Sequence, residues 1–469
     1  MVKCEFENFH HPTRNREIRN FLVGVQGEFV AGRFLLIGLF FAALAFYGSL
    51  LPIDYQPIDW TDSVRRWREI PWYQLGIERR ADWIANALVM IPSAFFLTGA
   101  ACMFHPAFAF RLLLSSLAGI GLAVLVVGIE FVQIWFPPRT VSQNDVLAGW
   151  IGVAIGIGIW WLLGDLLIHY SKSLRASKDL QKQISWLVGA ICLGVVVYSL
   201  FPFDLVTSRE EFEEKIGLGR VGWGFFSFSM ASLGTWKGPI LSLLKLVPFG
   251  VYLGMRPAKV LPWGWILLIP LWIEIAQVPI YSKFACVSDV FAGWAGGLIG
   301  WWLATRRERW MPWVDRWWFW RGGWIAATFL FSVAYLWRSR SGNRVATDLE
   351  ERVSFFFQYP FTYYYFGSEY ESVTRILSKV AVFFVFGMLQ GLDIRASGYR
   401  IAFWTLFAVV LWGFSAGMVM EATRLLMGWG ISDSTDLIIY SVAAWLGAYS
   451  VRMLPEKLKV ATEDWISKK

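Results

Sequence analysis

Residues 128–152, GIEFVQIWFPPRTVSQNDVLAGWIG, join two long apolar runs through a short turn at Pro137 and Pro138. Glu130 lies shortly before this turn and Asp145 shortly after it. An apolar run of about 20 residues is long enough to cross a ~30 Å hydrocarbon layer as a helix. The stretch therefore predicts a helical hairpin in a membrane, with two carboxylates near its turn.

The composition of the whole chain also indicates a membrane protein. Its 469 residues are 56% hydrophobic and 17% charged, whereas soluble domains have about 25% charged residues. Ordinary soluble domains and intrinsic disorder are therefore disfavoured. The four cysteines are scattered along the chain, which argues against a disulfide framework. No long apolar run precedes residue 33, so a cleaved signal peptide is not expected.

Apolar runs of this kind occur about twelve times along the chain. Their predicted limits are 33–52, 83–103, 112–136, 145–168, 184–202, 238–255, 260–280, 288–304, 322–337, 376–392, 401–425 and 435–452. The connections that share a side with both termini carry an excess of Lys and Arg, and the opposite connections carry an excess of acids. Both termini are therefore expected in the cytoplasm. The net charge of +8 reflects this orientation and contact with membrane lipids, and no nucleic acid is expected as a partner.

The acidic motif of the opening stretch recurs twice further along the chain. The three sets of residues are Glu130, Gln133, Arg139 and Asp145; Glu274, Gln277, Lys283 and Asp289; and Glu421, Arg424 and Asp436. The glutamate and the aspartate are fifteen residues apart in every set, although the third set has arginine at the glutamine position. Pro92, Pro248 and Val385 align the second run of each unit. This alignment places Asn86, Ser242 and Lys379 at one equivalent position.

The sequence thus predicts an all-α integral membrane protein with about twelve transmembrane helices arranged as three parallel four-helix repeats. The predicted parts are a cytoplasmic N-terminal segment 1–32, unit 1 at 33–168, a basic connector 169–183, unit 2 at 184–304, a Trp- and Arg-rich connector 305–321, unit 3 at 322–452 and a cytoplasmic tail 453–469.

The motif resembles that of the VanZ-like family, whose four-helix modules carry Glu-x-x-Gln, a following basic residue and an aspartate before a glycine-rich helix. Units 1 and 2 are the most similar, with Asn86 and Pro92 also matching in unit 1, and unit 3 is divergent. The founding member of the family is associated with resistance to a glycopeptide antibiotic that targets cell-wall precursors. The resemblance implies a multi-pass protein of the bacterial cytoplasmic (inner) membrane with a role in the cell envelope. It names no reaction.

The acids of the motif predict a polar pocket. A carboxylate inside a membrane costs a few kcal/mol, so Glu130 is expected to face other helices and to have a partner. Arg139 and Asp145 are available, and the resulting pocket suits a sugar, peptide or phosphate headgroup. The candidate ligand-binding residues are Asn86, Glu130, Gln133, Arg139, Asp145, Glu274, Gln277, Lys283, Asp289, Glu421, Arg424 and Asp436.

The acids of the motif also have a purely structural interpretation. The aspartates of the first two units begin helices, where a carboxylate caps free amides. The glutamates of these units can lock helices by pairing with the following basic residue. Glu421 and Arg424 are expected to form a local salt bridge. Lys379, deep in the tenth apolar run, is expected to have Glu421 as its counter-ion.

The sequence favours an accessory role over an enzymatic one. No His-x-x-x-His or paired-cysteine spacing accompanies the acids, and there is no Gly-rich phosphate loop. No metal and no cofactor are therefore expected. The expected role is to recognise, and in one version to move, an envelope component such as a lipid-linked saccharide or a wall precursor. Two alternatives remain open: a secondary transporter using intramembrane acids, and an intramembrane enzyme acting on a lipid-linked substrate.

Overall fold

The computed structural model describes most of the chain. The described residues are 12–104, 107–137, 139–176, 180–222, 237–255, 262–307, 309, 313, 316–340, 348–365 and 369–452. The tail 453–469, the first eleven residues of the N-terminal segment and parts of the connectors 169–183 and 305–321 lie outside them.

The described chain is almost entirely helical. Its helices are α1 Pro12–Ser49, α2 Trp60–Arg68, α3 Ile77–Phe104, α4 Phe108–Gln133, α5 Gln143–Ala176, α6 Leu180–Leu200, α7 Arg209–Gly217, α8 Lys237–Gly254, α9 Pro262–Gln277, α10 Val287–Thr305, α11 Trp317–Arg340, α12 Leu349–Phe356, α13 Thr362–Tyr365, α14 Glu369–Ala396, α15 Phe403–Met427 and α16 Thr435–Val451. Two short strands, β1 Val221–Gly222 and β2 Ala285–Cys286, pair in parallel. They are a small exception to the predicted all-α architecture.

The molecule is an α-helical membrane protein. Six described helices are long and apolar enough to cross a membrane: Val30–Leu50, Arg79–Phe104, Phe108–Gln133, Gln143–His169, Glu371–Ala396 and Phe403–Met427. Val188–Leu200, Pro239–Gly254 and Trp263–Gln277 are shorter apolar helices. Each of the twelve predicted runs coincides with a helix. A full set of twelve membrane spans stays a prediction, because the remaining helices are too short or too polar to qualify by themselves.

The chain divides into two compact units, Met1–Gln74 with Trp83–His169 and Leu75–Asp82 with Tyr170–Lys469. Residues 33–168, 184–304 and 322–452 are called the first, second and third segments below.

The core of the first segment combines small and aliphatic side chains from its four apolar helices: Ala42, Ala45, Met90, Ala94, Leu122, Val126, Val146 and Val153. Leu36 and Leu162 on the outside of the same helices are 69% and 81% exposed, as expected for side chains that face lipid.

The second and fourth apolar helices of every segment pack backbone to backbone. A Cβ added at Gly156 would lie 2.6 Å from the carbonyl oxygen of Ile91, and one added at Gly300 or Gly447 would fall on the carbonyl oxygen of Val247 or Phe384. Only a residue without a side chain permits this approach, which is typical of helix pairs in membranes. In every segment this approach lies eleven residues after the aspartate near the start of the fourth helix.

The third segment has the most aromatic core. Phe383 and Tyr440 stack at 4.1 Å between ring centroids, and both are fully buried. Tyr440 occupies the position that glycine occupies in the other two segments, at Gly149 and Gly293. The larger ring fills space next to Gly417 of α15, where an added Cβ would lie 2.7 Å from it.

The close crossing in the second segment predicts a specific sensitivity to added methyl groups. We expect Gly300→Ala to lower the free energy of unfolding by about 1–3 kcal/mol, because the methyl group has no room beside the Val247 carbonyl. The measurement is thermal melting of the detergent-purified protein. Gly194→Ala in α6 is the matched control, since nothing lies within 4 Å of its added Cβ. Equal melting temperatures for the two variants would contradict the close crossing.

Candidate functional site

The last carbonyl of the first helix is the anchor of the polar cluster in the first segment. The Ser49 oxygen accepts hydrogen bonds from Gln133 Nε2 and from Arg139 Nε, each at 2.8 Å. The last carbonyls of a helix have no donor within that helix, so these two side chains satisfy an otherwise unpaired acceptor. The chain then turns through a cis Leu51–Pro52 bond and a residue with positive φ, Ile53. Gln133 and Arg139 therefore fasten the end of α4 and its turn to the end of α1.

Ser142 links the two acids of the first segment. Its backbone amide donates to Glu130 Oε2 at 3.4 Å, and its hydroxyl donates to Asp145 Oδ2 at 2.6 Å. Asp145 Oδ1 accepts a further hydrogen bond from Asn86 Nδ2 at 2.9 Å. Glu130 and Gln133 are buried. The predicted juxtaposition of Asn86 with Asp145 is thus observed, and both oxygens of this aspartate are satisfied within the segment.

The second segment contains the same anchor. Gln277 Nε2 donates to the Ser199 carbonyl oxygen at 3.0 Å, and Glu274 Oε2 accepts from the backbone amide of Cys286 at 2.9 Å. Cys286 follows its glutamate by the same twelve residues as Ser142 does in the first segment. Lys283, the counterpart of Arg139, donates to the Tyr198 carbonyl oxygen at 3.4 Å. The basic residue therefore reaches the end of the first helix in both segments.

Asp289 is less completely satisfied than its counterpart in the first segment. Ser242 of α8 hydrogen-bonds to Asp289, but Asp289 Oδ1 is buried and no described residue bonds to it. Lys245 of α8 attracts both Glu274 and Asp289 electrostatically. Its ammonium group lies 5.2 Å from the centre of the Tyr198 ring, and that of Lys283 lies 5.6 Å from the same centre.

The glutamate of the third segment is neutralised locally. Glu421, fully buried, pairs with Arg424 Nη1 at 2.8 Å and accepts from the Tyr335 hydroxyl at 2.8 Å. Arg424 also donates to the carbonyl oxygens of Trp429 and Ile431. The expected salt bridge between Glu421 and Arg424 is present. Tyr335 belongs to α11, the first apolar helix of this segment. The third apolar helix is therefore joined to the first here as well, in this case by bonds between side chains.

The expected pairing of Lys379 with Glu421 is wrong. Lys379 Nζ lies 2.6 Å from both oxygens of Asp436, and Asp436 Oδ1 also accepts from the Tyr364 hydroxyl at 2.6 Å. The alignment of Lys379 with Asn86 already indicates this partner, because Asn86 bonds to the aspartate of its own segment. Arg424 neutralises Glu421, which leaves Lys379 to neutralise Asp436.

Residues 34–164 match the VanZ/LLP1 family model. This VanZ-like domain includes Asn86, Glu130, Gln133, Arg139 and Asp145, which are the residues that the structure brings together around Ser49 and Ser142. The resemblance inferred from the sequence is confirmed for this part of the chain. No curated protein and no solved structure matches the chain. That the second and third segments are further VanZ-like units stays a prediction.

A buried lysine in the connection after α6 has a role that the sequence did not indicate. Lys215 of α7 is fully buried and donates to the carbonyl oxygens of Gln277, Val278 and Ile280, at 2.9, 2.7 and 2.6 Å. Burial lowers the pKa of Lys215 to about 8, and the negative charge of Asp204 opposes that change. Lys215 closes the end of α9, directly after the Gln277 side chain that binds Ser199.

Sequence reasoning also missed Tyr198 and Lys245 as neighbours of the second set of acids. Lys245 had a usable signal, since an ionisable residue inside an apolar run is a functional candidate. Tyr198 had none, because an aromatic residue near the end of a membrane helix is common. As for metal binding, no three His, Cys, Asp or Glu side chains converge anywhere in the described ranges.

The buried pair in the third segment predicts a large cost when only one partner is removed. Lys379→Met should lower the free energy of unfolding by about 3–5 kcal/mol, because the 2%-exposed Asp436 side chain would lose its counter-charge. The combined variant Lys379→Met, Asp436→Asn should recover much of this loss, since no unpaired charge remains. Thermal melting of the purified proteins measures both effects. Wild-type melting of the single variant would show that the pair contributes nothing to stability.

Proposed function

We propose that this protein is a three-unit VanZ-like protein of the bacterial cytoplasmic membrane. In this proposal twelve helices cross the membrane, both termini are cytoplasmic, and each segment is one four-helix unit. The protein recognises, and in a further step moves, a cell-envelope component such as a lipid-linked saccharide or a wall precursor, and it does not transform it chemically.

The observation that carries the proposal is the recurrence of one polar junction at equivalent positions. Glutamine binds the last serine carbonyl of the first helix in two segments, with Gln133 on Ser49 and Gln277 on Ser199. The indoles of Trp150 and Trp294 each donate to a carbonyl 27 residues earlier. Such matches between two stretches of one chain support descent from a common unit. The matched glycine crossings support extending this interpretation to the third segment.

The chemistry of the junction supports ligand recognition. Buried polar groups are normally all paired, yet Gln133 Oε1 in the first segment and Asp289 Oδ1 in the second have no hydrogen-bond partner among the described residues. The first is a carboxamide oxygen and the second a carboxylate oxygen. Both can accept a hydrogen bond, and the hydroxyl groups of a saccharide can donate one. Both lie next to the connection between the third and fourth helices, which the charge distribution assigns to the outer face of the membrane.

A binding measurement tests this function. The wild-type protein in lipid nanodiscs should be stabilised against heat by a polyprenyl-linked saccharide more than by plain phospholipid, by about RT ln(1 + [L]/Kd). In the variant Glu130→Gln, Glu274→Gln we expect at least a tenfold weaker apparent affinity, because the carboxylates orient the turns that carry the free acceptors.

Glu213→Gln is the matched control, since its side chain is 62% exposed and pairs with Arg209 of the same helix. It should bind the saccharide as the wild type does. The proposal fails if polyprenyl-linked saccharide and plain phospholipid stabilise the wild type equally, or if the double variant keeps its full affinity.

A further inference from the structure

The three aspartates at the start of the fourth helices differ in how completely their own segment satisfies them. Asp145 receives Asn86 and Ser142, and Asp436 receives Lys379 and Tyr364. Asp289 receives Ser242 but retains a buried oxygen that no described residue reaches. The aspartate of the second segment therefore has one oxygen free to accept a hydrogen bond, whereas the equivalent aspartates of the other two segments are paired within their own segment.

Two lysines without a salt-bridge partner among the described residues lie in the same segment. No carboxylate oxygen of a described residue lies within 4.0 Å of the ammonium group of Lys245 or of Lys283. Lys245 has no hydrogen-bond acceptor among the described residues, and Lys283 has one long bond to the Tyr198 carbonyl. An ammonium group has three donors, so both side chains have donors to spare. The Tyr198 ring, within 6 Å of both, holds the two cations on one aromatic side chain.

Lys245 is peculiar to the second segment. In the alignment through Pro92, Pro248 and Val385, its position is occupied by Val89 in the first segment and Val382 in the third. The third segment has a lysine one helical turn earlier, Lys379, and that lysine forms a salt bridge with Asp436. Only the second segment thus combines two available cations with an available carboxylate oxygen among the residues that the structure describes.

We propose that the second segment binds a phosphate ester that carries a neighbouring hydroxyl group, with the phosphate on Lys245 and Lys283 and the hydroxyl donating to Asp289 Oδ1. This inference rests on the proposed function and adds to it the ligand chemistry and the segment that takes it. Ammonium groups bind phosphate as point charges, and a carboxylate oxygen accepts from a hydroxyl group. Glu274 is engaged by the Cys286 amide and holds the turn that carries Lys283.

The electrostatics of Lys283 agree with an anionic ligand. Burial and the nearby positive charge of Lys245 lower the pKa of Lys283 to about 8, while Asp204 opposes this change. A phosphate group between the two lysines would offset both unfavourable effects. The segment without ligand therefore holds two cations that repel one another, and binding of an anion relieves that repulsion.

The test is ligand-induced thermal stabilisation of the full-length protein. Wild-type protein in nanodiscs containing phosphatidylglycerol, which has a phosphate and two free hydroxyls, should melt several degrees higher than in phosphatidylcholine nanodiscs. In the variant Lys245→Gln, Lys283→Gln this difference should disappear. Arg65→Gln, Arg209→Gln is the matched control, because it removes the same charge from side chains that are 65% and 86% exposed. The control should keep the difference.

Further measurements distinguish a lipid ligand from a water-soluble phosphate ester. They also distinguish failure of this inference from failure of the proposed function. Stabilisation of detergent-purified protein by glycerol 3-phosphate, with the same dependence on the two lysines, would support the binding chemistry with a water-soluble ligand. If the lysine variant responds to phosphatidylglycerol as the wild type does, the inference is overturned. The proposed function still stands in that case if the lysine variant responds to polyprenyl-linked saccharide. If no headgroup of either kind stabilises the wild type, both proposals fail.

A pH series keeps the inference testable should the double variant fail to fold. The stabilisation by phosphatidylglycerol should decrease as the pH rises from 7 to about 9.5, because Lys283 loses its proton around pH 8. In Lys283→Arg the stabilisation should decrease less over this range, since arginine remains charged. Tyr198, Lys245 and Asp204 face Lys283 and are unchanged in this variant. Identical pH profiles for wild type and variant would overturn the role of Lys283.

Discussion

The unpaired carbonyl at the end of the first helix is the constraint on which the polar organisation of the first two segments depends. A backbone acceptor in apolar surroundings must have a donor, and the Ser49 and Ser199 carbonyls obtain theirs from Gln133 and Gln277. A glutamine that reaches across in this way fixes the end of the third helix against the first. The turn that follows is then held in place, and with it the acids on both sides of the turn.

The glutamate has a supporting role within this arrangement. Its carboxylate accepts from a backbone amide twelve residues later in both segments, at Ser142 and at Cys286. This contact sets the direction in which the chain enters the fourth helix. The glycine crossing of the second and fourth helices then brings a polar residue of the second helix to the aspartate. Carbonyl, glutamine, glutamate and glycine together create a polar site between helices whose other faces are apolar.

The segments differ in the residue of the second helix that donates a hydrogen bond to the aspartate. An amide in the first segment and an ammonium group in the third help to pair both of its oxygens, whereas the serine of the second segment has a single donor and leaves Asp289 Oδ1 without a partner. In the third segment each of the two motif acids is buried and pairs with a partly buried cation. Such pairing stabilises only while both partners are present. The same framework thus produces two segments whose motif aspartate is fully paired and one whose aspartate keeps a free acceptor beside two lysines.

The sequence by itself determined where the apolar runs lie, each of which falls on a helix, and the spacing of Glu, Gln and Asp. These features are local in the chain or repeat at fixed intervals, so hydropathy and spacing reveal them. It also determined the VanZ-like resemblance of the first segment, which the family match bears out. The equivalence of Asn86 with Lys379 stays a prediction. Only the tertiary structure decided that Lys379 pairs with Asp436, that Lys215 closes α9 and that Tyr198 lies beside two lysines. The physical reason is that a long, flexible side chain can reach several partners, and the packing of helices distant in the chain selects among them.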